Sequence, residues 1–470
     1  MRIRSFVSAA ALAAVSSTAM AQSTPRPDQA AFRALYQELV ETNTTLSAGS
    51  CTLAAERMAA HLKAAGFADG DVTLFSVPEH PKEGGLVAVL KGSSKKAKPI
   101  LLLAHIDVVE ARREDWVRDP FKLIEEDGYF YARGAADDKA QAAIWTDAFI
   151  RMKQQGFKPK RTLKMALTCG EETTFAFNGA EWLAKNKRDL IDAEYALNEG
   201  GGGRIDKSGK RLALAMQVGE KAVQNFQLET TNPGGHSSVP RPDNAIYALT
   251  AAVSKVGAHE FPVQFNDTTR VFFAKTAGVL GGDMGRAITA LLANPKDEAA
   301  NAIVSNDPVF HSTLRTTCVA TMLEAGHAMN ALPQRARAVV NCRIFPGVSS
   351  DAVQAELASA IGDSSVALTK IPPERPLAVS PPMSTKIVGP AEKLAAKYFP
   401  GVPLTPLMST GATDGIFLAA VGIPTYGVPG IFYEADGGGV HGLNERIRVQ
   451  SLYDGRDYLF DLVKTYANQE

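Results

Sequence analysis

Side chains that bind metal ions occur at five separated places along the chain. Each place follows an apolar run or lies in a glycine-rich stretch, where a strand end or a tight loop could present its side chains. Imidazole nitrogens and carboxylate oxygens are zinc ligands, and a carboxylate beside them can act as a general base. These residue types indicate metal-assisted hydrolysis. The places are His105 with Asp107, Asp137 with Asp138, Glu171 with Glu172, Glu199, and His441.

The first of these places follows the continuously apolar residues 100–104. The i, i+2 spacing puts His105 and Asp107 on one face of an extended chain. Asp107 is then placed to accept a hydrogen bond from the ring nitrogen that does not bind metal, which is how metal-binding imidazoles are oriented. A structural histidine paired with a neighbouring carboxylate explains the tripeptide equally well.

Two pairs of adjacent acids have similar alternatives. Asp137 and Asp138 precede a predicted helix, where acids often serve only as caps, but a carboxylate with two oxygens can also bridge two cations. Glu171 and Glu172 close an apolar strand, so one carboxylate could hold metal while the other acts as a base. A solvated acidic pair is the alternative, and only the joint occurrence of all five places favours a site.

Alternating helix and strand patterns predict an α/β domain that positions these residues. Its central strand is the apolar run at 99–104, which suits burial on both faces of a sheet. Helices are predicted at 29–46, 51–65, 139–155 and 179–186, and strands at 72–77, 85–91, 99–104, 162–168 and 194–198.

The pattern changes from about residue 222, where strand-like alternation is followed by a helix at 245–256. Two further strand-like runs flank residues 330–333. We therefore predict an inserted α+β domain at 221–371 between two parts of a catalytic domain, at 22–220 and 372–470. Cys318 and Cys342 lie nearly symmetrically about Asn330, so a disulfide across an antiparallel pair is expected in an oxidising compartment.

The composition is that of a soluble globular protein. Lys and Arg number 50, as do Asp and Glu, and 45% of the 470 residues are hydrophobic. No charge imbalance points to nucleic acid or to an anionic membrane surface. The four cysteines form no Cys-x-x-Cys pair, which argues against a thiolate metal site.

Residues 1–21 have the pattern of a cleavable secretory signal. Arg2 and Arg4 precede a short apolar run that ends before Ala19-Met20-Ala21. The run is too short to cross roughly 30 Å of hydrocarbon, so a membrane anchor is the weaker alternative and no membrane span is expected. We expect an exported protein, periplasmic if its source is a Gram-negative bacterium.

The order and spacing of these motifs resemble the M20 family of zinc metallopeptidases, which includes glutamate carboxypeptidase, succinyl-diaminopimelate desuccinylase and aminoacylase. The resemblance extends over nearly the whole mature chain. It rests on LLAHIDVV at 102–109, RGAADDK at 133–139, Glu171-Glu172, NEGG at 198–201 and His441. Two positions depart from the family pattern: residue 170 is Gly where many relatives carry Asp, and Ala412 replaces a usual glycine.

The resemblance implies a zinc-dependent exopeptidase-like catalytic domain with a mixed central sheet and an inserted lid or dimerisation domain. It implies two Zn²⁺ ions, with Co²⁺ as a substitute. His105 and Glu199 would hold one ion, Glu172 and His441 the other, and Asp137 would bridge them. Glu171 would be the general base, with Asp107 supporting the ligands.

The resemblance also assigns residues that contact the substrate. His236 would stabilise the oxyanion across the interface of a homodimer formed by the inserted domain. Asn330, Arg343 and the loop containing Gly411 would engage the substrate's terminal carboxylate, for which a guanidinium offers a planar two-pronged match. A loop histidine, a turn asparagine and a surface arginine are the alternatives.

The leading functional hypothesis is an exported carboxypeptidase for small peptides, which releases an amino acid with a free carboxylate. One alternative is an N-acyl amino-acid amidohydrolase, since the bond cleaved is the same. Another is a non-catalytic relative that binds peptide in the envelope, although binding alone needs no free base at Glu171. A serine hydrolase is disfavoured because the sequence has no Gly-x-Ser-x-Gly elbow.

Overall fold

A mixed ten-stranded sheet organises the largest part of the molecule. The computed structural model describes residues 26–173 and 176–469, so the leader predicted at 1–21 lies outside the described residues. The helices within them are α1 (Pro27–Glu41), α2 (Cys51–Ala64), α3 (Lys139–Gln154), α4 (Gly179–Asn186), α5 (Arg188–Ile191), α6 (Ala245–Ala258), α7 (Asp267–Leu280), α8 (Gly282–Ala293), α9 (Glu298–Ser305), α10 (Pro308–Leu314), α11 (Ser350–Ile361), α12 (Thr385–Tyr398), α13 (Gly415–Ala420) and α14 (Val449–Ala467). The strands are β1 (Val72–Val77), β2 (His80–Leu90), β3 (Ile100–His105), β4 (Ile124–Glu126), β5 (Tyr129–Tyr131), β6 (Leu163–Thr168), β7 (Tyr195–Asn198), β8 (Gly202–Ile205), β9 (Arg211–Glu220), β10 (Ala222–Thr231), β11 (Gly235–His236), β12 (Thr317–Ala325), β13 (Ala331–Leu332), β14 (Arg335–Ile344), β15 (Ala367–Ile371), β16 (Leu404–Ser409), β17 (Thr425–Gly427), β18 (Phe432–Tyr433) and β19 (Arg446–Arg448).

The central sheet has the order β1-β2-β6-β3-β7-β17-β9-β8-β18, and β16 pairs with β9. Its middle strands β6, β3, β7 and β17 run parallel, whereas β1, β2 and β9 pair antiparallel to neighbours. This mixed α/β sheet is the fold class expected from the sequence. Parallel pairing brings the carboxyl ends of β3, β6 and β7 to one edge.

The central strand β3 is buried at all six positions, as its apolar run predicts. Ile100 and Leu102 face a core built with α1, α2 and α3, while Leu101 and Leu103 face a second core built with α4 and α13. Successive side chains of a strand point to opposite faces, which is why a strand between two helical layers must be apolar throughout.

A second sheet, of order β12-β14-β10-β15, is antiparallel throughout. Side chains of β10 alternate between buried and half-buried, and helices α6 and α11 cover the buried side around Phe226, Leu249 and Leu357. The strands of this sheet all come from the range expected for the inserted domain. Its action as a lid and the exact domain boundaries stay predictions.

Helices α7 to α10 form a third cluster, for which no elements were expected. They enclose their own apolar core, which includes Phe273, Leu291 and Leu314. The Thr268 hydroxyl donates to the Val218 carbonyl at 2.8 Å, which joins this helical cluster to β9. The segment is thus packed against the central sheet.

The helix predicted at 29–46 was too long, since α1 ends at Glu41. Beyond it, Asn43 Oδ1 accepts hydrogen bonds from the Thr45 amide and hydroxyl, both at 2.9 Å. Asparagine side chains stabilise turns in this way, and the turn ends the helix while its threonines stay buried. Among the described residues, no helix is both long and apolar enough to cross a membrane.

Two disulfides use all four cysteines. Cys318 pairs with Cys342 across the register of β12 and β14, as expected from the sequence. The bond between Cys51 and Cys169 was not predicted; it ties the first residue of α2 to the residue after β6. It therefore anchors the loop that carries Glu171 and Glu172.

Candidate metal and substrate site

The carboxyl ends of three neighbouring parallel strands meet at one edge of the central sheet. His105 is the last residue of β3 and lies opposite Thr168, the last residue of β6, while Glu199 directly follows β7. Ligands in open α/β sheets bind at this edge. The loop after β6 brings Glu171 and Glu172 to the same place, where Asp137 and His441 join them.

These residues form two groups that share Asp137. One group is His105, Asp137 and Glu199; the other is Asp137, Glu172 and His441. Asp137 Oδ1 lies 3.1 Å from His105 Nε2, and its Oδ2 lies 3.2 Å from His441 Nε2. Each carboxylate oxygen of Asp137 thus belongs to a different group, which is the geometry of a bridging ligand.

The chemistry of this donor set fits a pair of divalent cations. Burial, with repulsion from nearby carboxylates, raises the pKa of Glu171 and of Glu199 well above its usual range. Hydrogen bonds that the His441 ring donates to the carboxylates of Asp137 and Glu172 raise the pKa of His441 to about 10. A cluster with so many close carboxylates takes up positive charge, and imidazole with carboxylate is a donor set that zinc accepts.

Asp107 supports this cluster differently from the sequence expectation. The ring nitrogen Nδ1 of His105 lies 3.1 Å from the Asp107 backbone carbonyl and 3.5 Å from its carboxylate. The carboxylate instead accepts hydrogen bonds from the backbone amides of Glu171 at 3.3 Å and Glu172 at 3.0 Å. Asp107 therefore orients the imidazole with its backbone and the two glutamates with its side chain.

Glu171 belongs to neither ligand group, which leaves its carboxylate available as a base. Gly170, next to it, has φ 98°, and a Cβ there would meet the Phe177 carbonyl oxygen at 1.9 Å. Glycine at this departure from the family pattern is thus required by the local backbone.

The loop that presents Asp137 is fixed by a residue whose role the sequence left open. The buried Glu445 carboxylate accepts hydrogen bonds from the backbone amides of Gly134, Ala136 and Asp137. It also pairs with buried Arg133 at 2.7 Å. The Asp137–Asp138 peptide bond in this loop is cis.

Two cavities adjoin the cluster of acids and histidines, and each is lined by different residues of it. The larger, of about 850 Å³, is lined by Asp137 and Glu199; the smaller, of about 250 Å³, is lined by Glu171. The loop around Gly411 separates them, since Ser409 and Thr410 line the larger cavity and Ala412 and Thr413 the smaller. Gly411 itself donates its amide to the Ser409 hydroxyl at 3.0 Å.

The smaller cavity holds two arginines. Arg343 on β14, predicted from the sequence, lines it together with Glu171. Arg375, which the sequence did not suggest, also lines it, and its guanidinium lies over the Phe417 ring, 5.2 Å from the ring centroid. The sequence signal that could have pointed to Arg375 is the pair Pro372 and Pro373 just before it, because proline restricts the backbone and so fixes where the following side chains lie.

His236 and Asn330 lie together but apart from the cavities. They belong to an exposed two-stranded ribbon in which His236 is opposite Ala331, and the Ser237 amide donates to the Asn330 carbonyl at 3.0 Å. Among the described residues that line the two cavities, neither occurs. Within one chain, the structure does not bring them to the metal-ligand cluster.

Known proteins are similar to this chain in sequence. The model of "Peptidase family M20/M25/M40" matches residues 101–465. The chain is 29% identical over 402 residues to the N-fatty-acyl-amino acid synthase/hydrolase PM20D1 of Homo sapiens, covering 83% of this chain and 79% of that protein. It is 27% identical over 399 residues to the probable carboxypeptidase S-like 2 of Dictyostelium discoideum, covering 81% and 74%.

A solved structure has the same fold. The M20 family metallo-carboxypeptidase Sso-CP2 from Sulfolobus solfataricus superposes with a TM-score of 0.70 at 19% identity, over 93% of this chain and 99% of that one. The family model covers most of the chain, and the motif resemblance is confirmed. This chain belongs to peptidase family M20/M25/M40 and is an enzyme of the metallopeptidase and amidohydrolase class.

Proposed function

We propose that this hydrolase cleaves the amide bond that joins an acyl group to an amino acid with a free α-carboxylate. The observation that carries the proposal is the position of Asp137. Its two carboxylate oxygens face two histidines of separate ligand groups, and Glu171, which belongs to neither group, lies beside them. The acyl group is that of a peptide in a carboxypeptidase or of a fatty or short acid in an N-acyl amino-acid hydrolase. Similarity to proteins named for both activities supports this reaction.

The metal ions proposed are two Zn²⁺ per chain, with Co²⁺ as a substitute. His105, Asp137 and Glu199 would hold one, and Asp137, Glu172 and His441 the other. Two such cations supply positive charge that acidifies water and polarises the scissile carbonyl.

Glu171 is the residue proposed to move the proton. Its backbone amide is held by the Asp107 carboxylate, and it lines the smaller cavity where the leaving amino acid would lie. Its carboxylate accepts a proton from the attacking water and passes it to the leaving nitrogen.

Arg343 is proposed to bind the α-carboxylate of the leaving amino acid. Its guanidinium lines the smaller cavity and is more than half buried, and burial lowers its pKa. A partly buried guanidinium gains from a carboxylate partner, which the substrate would provide. Arg375 supplies a second positive charge in the same cavity.

Turnover of a substrate panel tests this function. The zinc-loaded protein is incubated with dipeptides and N-acyl amino acids, and release of the free amino acid is measured, with the Glu171→Gln protein as the control. We expect release from at least one class in the wild type and none in the control. No turnover of any substrate would instead favour a binding protein.

Export and dimerisation complete the proposal. The leader pattern at 1–21 supports secretion, which is tested by determining the N-terminal sequence of the mature protein.

The exposed position of His236 supports a homodimer in which the inserted domain of one chain completes the site of the other. The exposed apolar residues Val319, Met322 and Leu323 on edge strand β12 offer a surface for such pairing.

A further inference from the structure

The larger cavity has an apolar wall, which the hydrolysis of the amide bond does not itself require. Helices α7 and α10 contribute Phe272, Val279, Val309 and Phe310, and the central sheet contributes Leu214 and Leu407. Phe272 and Phe310 rest on the core of the helical cluster, where both contact the buried Phe273 ring edge-on. This wall is therefore built by a packed element and not by a loose loop.

Several of the wall's side chains are open to solvent. Val279 is 82% exposed, Val309 63%, and Leu212 and Leu280 are each 51% exposed, yet all four line this one cavity. Single exposed apolar side chains are ordinary, but a contiguous set around a cavity is typical of a binding surface. The chemistry of this surface favours an apolar ligand.

The cavity is continuous with the candidate metal site. Asp137 and Glu199 lie at one end of its lining, whereas Glu171 and the two arginines line the other cavity. A substrate whose carboxylate lies at Arg343 and whose amide lies at the ligand cluster would extend its acyl part into the larger cavity.

The charges on the wall disfavour a peptide in this position. Apart from Asp137, Asp138 and Glu199 at the ligand cluster, the charged residues lining the cavity are Arg204, Lys275 and Glu434. The Glu434 carboxylate is already bonded to the Tyr129 hydroxyl and to Arg448, both at 2.7 Å. Among the described residues of this wall, no acid beyond the cluster is thus left to pair with a peptide's ammonium group.

We propose that the larger cavity binds the acyl group of the substrate as a long, unbranched hydrocarbon chain, with α7 and α10 as the elements that select it. This inference rests on the proposed amide hydrolysis. A hydrocarbon chain would cover the exposed side chains of the wall, and it carries no charge that needs a partner there.

The test varies the acyl chain while the leaving amino acid is kept constant. kcat/KM is measured for N-acetyl, N-octanoyl and N-dodecanoyl derivatives of an amino acid that the panel shows to be released. Because each buried CH₂ contributes about 0.8 kcal/mol, we expect a rise of about three- to fourfold per CH₂ until the cavity is filled. Binding of the N-dodecanoyl compound to the Glu171→Gln protein, measured by calorimetry, gives a readout independent of turnover.

Substitutions on the wall locate the effect. Val279→Asp and Val309→Asp place charges on exposed positions, so that folding is preserved, and should lower kcat/KM for the dodecanoyl substrate more than for the acetyl substrate. Val117→Asp, at a position 77% exposed that lines neither cavity, is the matched control and should leave the ratio unchanged.

Three outcomes would overturn the inference. Turnover of acetyl and dodecanoyl substrates at equal kcat/KM would remove the acyl site while keeping the proposed function. The same conclusion follows if Val279→Asp changes the oligomeric state and not the substrate ratio, since the wall would then seat a second copy of the chain. No turnover of any amide would remove the proposed function itself.

Discussion

Asp137 and Glu171 divide the work of the candidate site between two carboxylates of different surroundings. Asp137 contacts both histidines, and its loop is held in place by three backbone hydrogen bonds to Glu445. Glu171 contacts no histidine of the cluster and faces the smaller cavity. A mutation at either position should therefore disturb a different property.

Glu171→Gln should abolish turnover while metal content stays near two ions per chain. An amide cannot accept the proton from water, yet residue 171 lies outside both ligand groups. Metal content by atomic emission and turnover are measured on the same preparation. Glu172→Gln is the matched control next to it and should lose metal, because it removes a ligand. Loss of metal from the Glu171→Gln protein would reassign Glu171 as a ligand.

Arg343→Ala should raise KM for substrates with a free carboxylate. The loss of binding free energy should be on the order of 2 to 5 kcal/mol, as for a buried charge-assisted pair. The reason is its position in the smaller cavity beside Glu171. Arg335→Ala removes an exposed arginine of the same strand that pairs with Glu229, and should leave KM unchanged. An equal loss on a carboxamide analogue would show that Arg343 does not bind the carboxylate.

At the scale of elements, the end of β9 carries a buried acid beside the loop that separates the two cavities. The Glu220 carboxyl accepts hydrogen bonds from the amide and hydroxyl of Thr413, both at 2.9 Å. Burial raises the pKa of Glu220 from its ordinary 4.5 to about 8. The folded chain thus holds this proton more tightly than the unfolded chain does.

Stability should consequently fall as pH rises through this window. The contribution of the protonated Glu220 is complete below about pH 4.5 and is lost by about pH 8, at up to about 1.4 kcal/mol per pH unit. Glu220→Gln keeps an oxygen acceptor for Thr413 but cannot ionise, so its unfolding free energy should exceed that of the wild type increasingly from pH 5 to 8. Urea unfolding at several pH values measures the difference, with exposed Glu114→Gln as the control. Parallel curves for Glu220→Gln and the wild type would contradict it.

Elements with strong periodicity could be predicted from the sequence, and those defined by distant contacts could not. The predicted strand at 72–77 and helix at 179–186 have the bounds observed, because turn residues and caps mark both ends. Strands β16 and β18 pair with β9 and β8, which lie far away along the chain, so no local pattern predicts them.

The disulfides show the same limit. Cys318 and Cys342 share one hairpin register, which spacing reveals. Cys51 and Cys169 are 118 residues apart, and only the packing of α2 beside β6 and its following loop brings them together. Likewise the ligand types could be predicted from their motifs, but Arg375 and the apolar wall on α7 and α10 became visible only when the chain was folded.

At the scale of the whole molecule, one chain does not bring all the proposed site residues together. His236 lies on the two-stranded ribbon of β11 and β13, is exposed and lines neither cavity, so a partner chain would have to bring it to the site.

Mixing two inactive proteins tests this. His236→Ala combined with Glu171→Gln should regain about a quarter of wild-type activity after subunit exchange, because half the dimers are mixed and each has one intact site. Activity is measured before and after exchange, and the oligomeric state by light scattering. No recovery from a protein that does form dimers would show that His236 acts within its own chain or does not act at all.

The order of the ligands along the chain has a consequence for how the enzyme acquires its ions. His105 precedes the inserted sheet and the helical cluster along the chain, and His441 follows both of them. The group of His105, Asp137 and Glu199 is therefore synthesised before the inserted sheet, whereas the group of Asp137 and Glu172 is completed only by His441. The second ion would consequently bind only to a chain that already carries the whole inserted sheet and the helical cluster.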